Sequence, residues 1–182
     1  GAPESRWFIN MAAAGMSGAV DRLVNRSSKR LGGRLTFYLC TLRAVARYRA
    51  PKVRITVDGV DVGVFRATNV IAGNSCWAGG GMMLSPGARL ADGLLEFVVM
   101  KDASTWRSLG LTRHIYAGTH VNTDLVEVFE GAEARVEVLE GTPAPVDIDG
   151  ESPGRMPVTF RVHAGAVRLL NPRSEFLRRT TP

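Results

Sequence analysis

From Lys52 the chain alternates, with Val53, Ile55 and Val57 apolar and Lys52, Arg54 and Thr56 polar. A period of two is the mark of a half-buried strand. Asp58-Gly59 follows at once, a strong hairpin signal leading into a second strand over 60–65. Residues 70–72 continue the strand pattern, and 94–100 form a nearly continuous apolar strand. Further strands are expected at 6–10, 125–129, 134–139, 146–149, 158–162 and 166–170. Helical spacing takes over in three places. A first helix starts near Ser17, whose hydroxyl can cap it, and runs to about Arg30. A second spans 35–49, with Leu35, Leu39, Leu42 and Ala46 on one side, and Pro51 stops it. A third covers 104–117, with Leu109 and Leu111 among its buried positions. Gly32-Gly33 separates the first two helices, and the glycine-rich stretch at Gly73-Asn74 and Gly79-Gly80-Gly81 excludes a helix between the strands. The expectation is an α+β chain: a mostly antiparallel β-sandwich-like domain with two N-terminal helices and one inserted helix. No repeat of 20 to 50 residues interrupts it.

Composition narrows the class. The chain has 182 residues, 45% hydrophobic and 22% charged, proportions of an ordinary globular protein. A chain of this length buries roughly 70% of its unfolded surface and folds without metal or disulfides. No apolar run approaches the ~20 residues of a membrane-spanning helix. Two cysteines, Cys40 and Cys76, make no disulfide framework and point to a reducing, cytoplasmic setting. Gly1 opens the chain with neither Met nor a signal-peptide pattern, so a piece of a longer protein is expected.

The net charge of +6 is unevenly spread. Residues 22–54 hold ten Lys or Arg and no acid, whereas 121–151 hold nine acids against Arg135 alone. A basic block of this size attracts phosphates, an anionic membrane surface or nucleic acid. It equally fits the solvated face of a basic protein. No helix-turn-helix, zinc-finger or aromatic RNA-binding signature favours nucleic acid.

Several residues can carry chemistry. Asp149-Gly150-Glu151 ends one strand, with Ser152-Pro153-Gly154 completing a turn. Asp147 and Asp149 then project from the face opposite Val146 and Ile148. Carboxylates at a sheet end can take a proton from an alcohol or hold a divalent cation, although Asp-Gly is also among the commonest turn dipeptides. Asp92-Gly93 precedes the apolar strand that contains Glu96, and a carboxylate with loop carbonyls makes an oxygen site for Mg²⁺ or Ca²⁺. Gly79 to Gly81 let amides approach a ligand but match no P-loop or dinucleotide fingerprint. His114, His120 and His163 lack metal-ligand spacing and read as structural. Cys40 reads as a small core side chain, and neither Ser75 nor Ser85 has a partner pattern for a nucleophile.

The order of the pieces says more than any one of them. Phe8-Ile9-Asn10 is followed by Gly15; then come Leu31-Gly32, Phe37-Tyr38 and Gly73-Asn74. G-G-G-M-M-L-S-P at 79–86, A-R-L-A-D-G-L-L-E at 88–96 and I-D-G-E at 148–151 complete the series. Over about residues 7–172 this resembles the C-terminal domain of the diacylglycerol kinase family, the soluble bacterial-type lipid kinases related to sphingosine and ceramide kinases. The resemblance implies a domain over 1–172 with a polar tail at 173–182. It also implies that the nucleotide-binding half, with its G-G-D-G-T motif, is absent from this chain, which by itself should be inactive.

On the same footing, Asp149 corresponds to the acid that activates the lipid hydroxyl, and Glu151 lies beside it near the metal. Asp92, with carbonyls of Arg89 and Leu94, corresponds to a structural Mg²⁺ loop, here with Ala91 and Glu96 where the family has Asp. The implied reaction moves the γ-phosphoryl of Mg-ATP to a lipid hydroxyl such as that of diacylglycerol. Implied partners are the lipid substrate, an anionic membrane surface in peripheral association, the chain's own nucleotide-binding domain and a second copy in a homodimer. A non-catalytic lipid- or membrane-binding module and an NAD kinase-like enzyme are the competing readings.

Overall fold

A computed structural model describes residues 4–20 and 48–168. Eleven strands and one α-helix are named in chain order. They are β1 (Met11–Gly15), β2 (Lys52–Val57), β3 (Val60–Gly73), β4 (Trp77–Ala78), β5 (Met82–Met83), β6 (Leu95–Lys101), α1 (Thr105–Ala117), β7 (Val126–Gly131), β8 (Glu133–Glu140), β9 (Pro145–Ile148), β10 (Glu151–Arg155) and β11 (Val158–Arg161). A 3-10 turn, His120–Asn122, lies between α1 and β7.

The long strand β3 joins two antiparallel layers. Its first half pairs with β2, which pairs onward with β8 and β8 with β11. Its second half lies between β1 and β6; beyond them β9 and β10 continue on one side and β7 on the other. The side chains between the layers form the main core, from Ala12, Ala14, Val53, Ile55, Val70, Phe97, Val99, Val136, Val146 and Phe160. A second cluster, with Met11, Ala13, Ile71, Val98, Met100 and Val126, fills the far face of the β1-β3-β6-β7 layer, where Leu111 and Ile115 of α1 pack on it.

This two-sided burial explains the sequence patterns. β2 has one covered face and alternates. β1 and β6 are covered on both faces, and all five residues of β1 and the first six of β6 are buried. A strand without a solvent face needs no polar positions, so its period of two disappears. The expectation of a mostly antiparallel sandwich-like α+β fold holds. So do the Asp58-Gly59 hairpin, the 94–100 strand and the helix ending at Ala117.

Four local expectations are corrected. Residues 6–10 are not a strand; the strand is the alanine run β1 immediately after them. Gly15 closes β1 at φ +147°, and a Cβ there would stand 2.2 Å from the Thr68 carbonyl oxygen, so only glycine fits. Residues 152–154 belong to β10 and not to a turn. The edge position of β10 tolerates its Pro153. Residues 166–168 form no strand. Leu109 and Leu111 are both only half-buried, since two residues span about 200° of a helix and cannot share its inner face.

The chain turns helical at 16–20, as expected, but the described acceptor at its start is buried Asn69, which receives the Ser17 amide and hydroxyl at 3.0 Å each. The rest of the segment expected to be helical to about Arg30, most of the helix expected at 35–49, Leu31-Gly32, Phe37-Tyr38, Cys40, most of the basic block and the tail lie outside the described residues. Tyr48 and Arg49 are not helical.

Glu96 ties the glycine-rich loop to β6. It is 6% exposed, and its two carboxylate oxygens accept the Gly87 amide at 3.0 and 3.1 Å. Burial pushes its pKa above the ordinary 4.5, and Glu130, its register partner on β7, adds to the rise against the amides of Gly87 and Ala88. The folded state therefore favours the protonated acid. That contribution is full below about pH 4.5 and is lost as pH climbs through the raised value. Glu96→Gln should flatten this loss, so urea-unfolding free energies measured from acid to neutral pH should show the variant gaining on the parent as pH rises. Parallel profiles would refute the burial argument.

Candidate functional site

Two of the three Asp-Gly dipeptides make tight hairpin turns with positive φ at each central residue, as type I′ turns require: Asp58 at 46° with Gly59 at 82°, Asp149 at 47° with Gly150 at 89°. In each case the carboxylate reaches neighbouring backbone amides. Asp58 accepts from Ala132 at 3.0 Å and Glu133 at 2.8 Å. Asp149 accepts from Ile9 through Oδ2 at 2.8 Å and from Met11 through Oδ1 at 2.8 Å, with the Asn10 amide between them at 3.3 and 3.4 Å. The Asp149 amide returns a bond to the Met11 carbonyl at 3.0 Å.

The opposite side of segment 9–11 is held by the loop after β3. The amides of Asn74 and Ser75 donate to the Asn10 carbonyl at 3.0 and 3.2 Å. The Asn74 side chain donates to the Ile9 carbonyl at 2.6 Å, and the Asn10 side chain donates to the Trp77 carbonyl at 3.2 Å. The Ser75 hydroxyl donates to the Asn10 side-chain oxygen. Phe8-Ile9-Asn10, Gly73-Asn74 and Ile148-Asp149-Gly150-Glu151, scattered in the sequence, therefore meet in one hydrogen-bonded cluster. Asn10, Asn74 and Ser75 are site residues to which the sequence assigned no role. Asn10 and Asn74 are signalled only by membership of those motifs, and Ser75 only by following one of them.

Asp149 and Glu151 line the same open groove of about 480 Å³, with Ser5, Arg6, Trp7, Ile148 and Pro153. Trp7 stands edge-on to His163, ring centres 5.0 Å apart. Arg6, the cation of this groove, is paired with Glu4. A separate hollow of about 410 Å³, lined in part by Tyr48, Arg66, Lys101 and Asp102, contains none of these motif residues.

Asp92 sits elsewhere, in the exposed loop before β6. Its Oδ1 accepts the Leu94 amide at 2.9 Å, closing a turn through Gly93 at φ +77°. Oδ2 has no described hydrogen bond, and Arg89 and Leu94, whose carbonyls were expected as co-ligands, are in the same loop. This all-oxygen set has the hardness Mg²⁺ prefers, but it offers a single carboxylate. Among the described residues no three His, Cys, Asp or Glu side chains gather to hold a metal.

The remaining candidates are structural. His120 is fully buried, its Nε2 lies 3.2 Å from the Leu84 carbonyl, and burial lowers its pKa. The Cys76 thiol donates to the Ala88 carbonyl at 3.3 Å, and burial followed by Glu96 raises its pKa, which keeps it protonated. Ser85 is buried against Gly73, where a Cβ would stand 2.2 Å from its hydroxyl oxygen.

The acidic run is largely neutralised by ion pairs. Glu140 meets Lys52 at 2.8 Å and Arg66 at 3.5 Å, Glu127 meets Lys101 at 3.0 Å, and Asp124 meets Arg107 at 2.7 Å. Exposed pairs of this kind contribute little stability each. They do remove Lys52, at the end of the basic block, from the charge free to meet a partner.

A diacylglycerol kinase of Mycobacterium tuberculosis (strain ATCC 25618 / H37Rv) is 30% identical over 171 residues, which cover 92% of this chain and 53% of that protein. A diacylglycerol kinase of Bacillus subtilis (strain 168) is 26% identical, over 88% of this chain and 52% of its own length. The chain thus spans about half the length of these curated relatives. A crystal structure from Bacillus anthracis str. Sterne shares the fold, with a TM-score of 0.63 and 23% identity over 87% of this chain and 50% of that one. Residues 10–171 match the family described as the YegS C-terminal NAD kinase beta sandwich-like domain, and they take in the clustered motifs from Asn10 to Glu151. The chain belongs to that family, and the relatives it resembles are named diacylglycerol kinase.

Proposed function

We propose that the complete protein transfers the γ-phosphoryl of ATP to a hydroxyl of a lipid such as diacylglycerol, and that this chain supplies the acceptor side of the site. The observation that carries the reading is the placement of Asp149 and Glu151 on one open groove, beside the segment that the other motif residues hold in place.

In this reading the acceptor oxygen attacks the γ-phosphorus, the bond to the ADP oxygen breaks, and the hydroxyl proton passes to Asp149. Phosphoryl transfer asks chiefly for alignment and charge neutralisation, with a positioned base for that proton. The Asp149 carboxylate has about four lone-pair directions; the Ile9 and Met11 amides take one on each oxygen at 2.8 Å, and the Asn10 amide is shared between the oxygens at 3.3 and 3.4 Å, so a substrate hydroxyl competes only with that longer contact. Those amides fix its orientation. Glu151, next along the groove, is the second anionic group of the site. Mg²⁺ bound with the nucleotide would neutralise phosphate charge, and Asp92 would hold a structural Mg²⁺ with carbonyls of Arg89 and Leu94.

One observation favours a second reading, in which Asp149 is only a structural clamp and the chain a non-catalytic lipid-binding module. Asp58 makes the same turn and the same kind of amide bonds outside this groove. Asp149→Asn separates the two. Asn keeps one acceptor oxygen and turns an NH₂ toward a backbone donor, so amides 9–11 should exchange about tenfold faster with solvent. In the complete protein, loss of the base should lower turnover by about 10²–10⁴-fold. Faster exchange with normal turnover leaves only the clamp.

Glu151→Gln should weaken turnover more at low than at saturating Mg²⁺; an Mg²⁺-independent loss would separate Glu151 from the metal. The 182-residue chain alone should transfer no phosphate to lipid. Radiolabelled lipid formed by the purified chain would contradict the division of labour proposed here.

A further inference from the structure

Helix α1 is apolar on two sides. Inward, Leu111 and Ile115 pack on the second core cluster. Outward, Trp106, Leu109, Arg113 and Tyr116 fall within about 80° of arc at 100° per residue. Trp106 is 83% exposed and Tyr116 50%, and α1 contains no fully buried residue. An outward stripe of tryptophan, leucine and tyrosine is costly to leave in water.

The charge on this face is one-sided. The helix contains Arg107, Arg113 and His114 and neither Asp nor Glu. The acid bonded to it, Asp124, is engaged by Arg107 on the flank at 2.7 and 2.9 Å. Arg113 remains in the middle of the aromatic arc, its described contact being His114 at 3.4 Å.

We infer that the outward face of α1, formed by Trp106, Leu109, Arg113 and Tyr116, seats on an anionic lipid surface. Indole and phenol rings suit the headgroup boundary because they are apolar bodies with a polar edge. Arg113 can lay its stem along the apolar layer while its guanidinium stays with lipid phosphates. Absence of acid from the helix removes the repulsion an anionic leaflet would otherwise exert. With 13 residues the helix can lie in the interface, and no described helix is long and apolar enough to cross a membrane. The inference rests on the lipid-kinase reading, since an enzyme acting on a bilayer-resident lipid needs a face that meets the bilayer.

The test needs neither ATP nor turnover. The chain has three tryptophans, so Trp7→Phe with Trp77→Phe leaves Trp106 as reporter, after circular dichroism confirms the fold. With vesicles of three parts phosphatidylcholine to one part phosphatidylglycerol, Trp106 emission should shift to the blue and be quenched by brominated acyl chains. Trp106→Ala with Tyr116→Ala should weaken cosedimentation with these vesicles by about tenfold. Arg113→Gln should weaken it about fivefold, with no change on phosphatidylcholine alone.

Unaltered Trp106 emission on vesicles that do bind the chain would overturn the inference, because contact would then lie elsewhere. So would an absence of vesicle binding, or a double variant that binds normally. A double variant that changes only self-association in sedimentation velocity would assign the face to protein and also overturn it. None of these results bears on kinase activity, which is read with detergent-solubilised lipid and the complete protein.

Discussion

Three successive backbone amides, those of Ile9, Asn10 and Met11, converge on the Asp149 carboxylate, and the groove is built around that junction. The Ile9 and Asn10 donors precede the first strand, and Met11 opens it. An anionic acceptor is the strongest satisfaction available to them short of bulk water. β1 itself pairs on both edges, with β3 and β9, and is covered on both faces. The chain entering it can therefore leave in few directions. Asp149 sets that direction from one side, and Asn74 and Ser75 set it from the other.

The pair of Asp-Gly turns separates geometry from chemistry. Asp58 and Asp149 share positive φ, a following glycine and bonds to neighbouring amides. What differs is what lies beyond the carboxylate. Asp149 opens on a groove with Glu151 beside it, whereas Asp58 holds the Gly131–Glu133 corner between β7 and β8. Turn chemistry accounts for the conformation of both residues. Only the surroundings distinguish a candidate base from a clamp, and a dipeptide read in sequence contains no information about surroundings.

Sequence legibility follows the same division. β2 was readable because one face is wet, and its partner was readable because Asp58-Gly59 admits few alternatives. β6 was readable from its apolar run although that run has no period. β1 was missed because Ala12, Ala13 and Ala14 have weak strand preference, and the close packing that selects small residues is tertiary. β10 was missed because Pro153 and Gly154 read as a turn, while an edge strand can accept both. At the site, Asp149 and Glu151 were visible as a motif. The joining of that motif to Asn10 and Asn74 was not, because the bonds span some 65 to 140 positions of chain.

The electrostatics of the groove place a demand on whatever binds there. Asp149 and Glu151 are both exposed at its wall, and the cation beside them, Arg6, already faces Glu4. A phosphate brought near would meet net repulsion, about 1 kcal/mol per unit-charge pair at 4 Å even in bulk water and more as water is displaced. Most acids of the 121–151 run escape this conflict through ion pairs, as Glu140, Glu127 and Asp124 show. The two groove carboxylates have no such relief from described side chains. A neutral hydroxyl is accepted by such a wall without penalty, but a polyphosphate needs cationic compensation from outside it. On the reading proposed above, this charge pattern would divide the work, with the carboxylate wall suited to an acceptor alcohol and the phosphates dependent on positive charge from outside the groove.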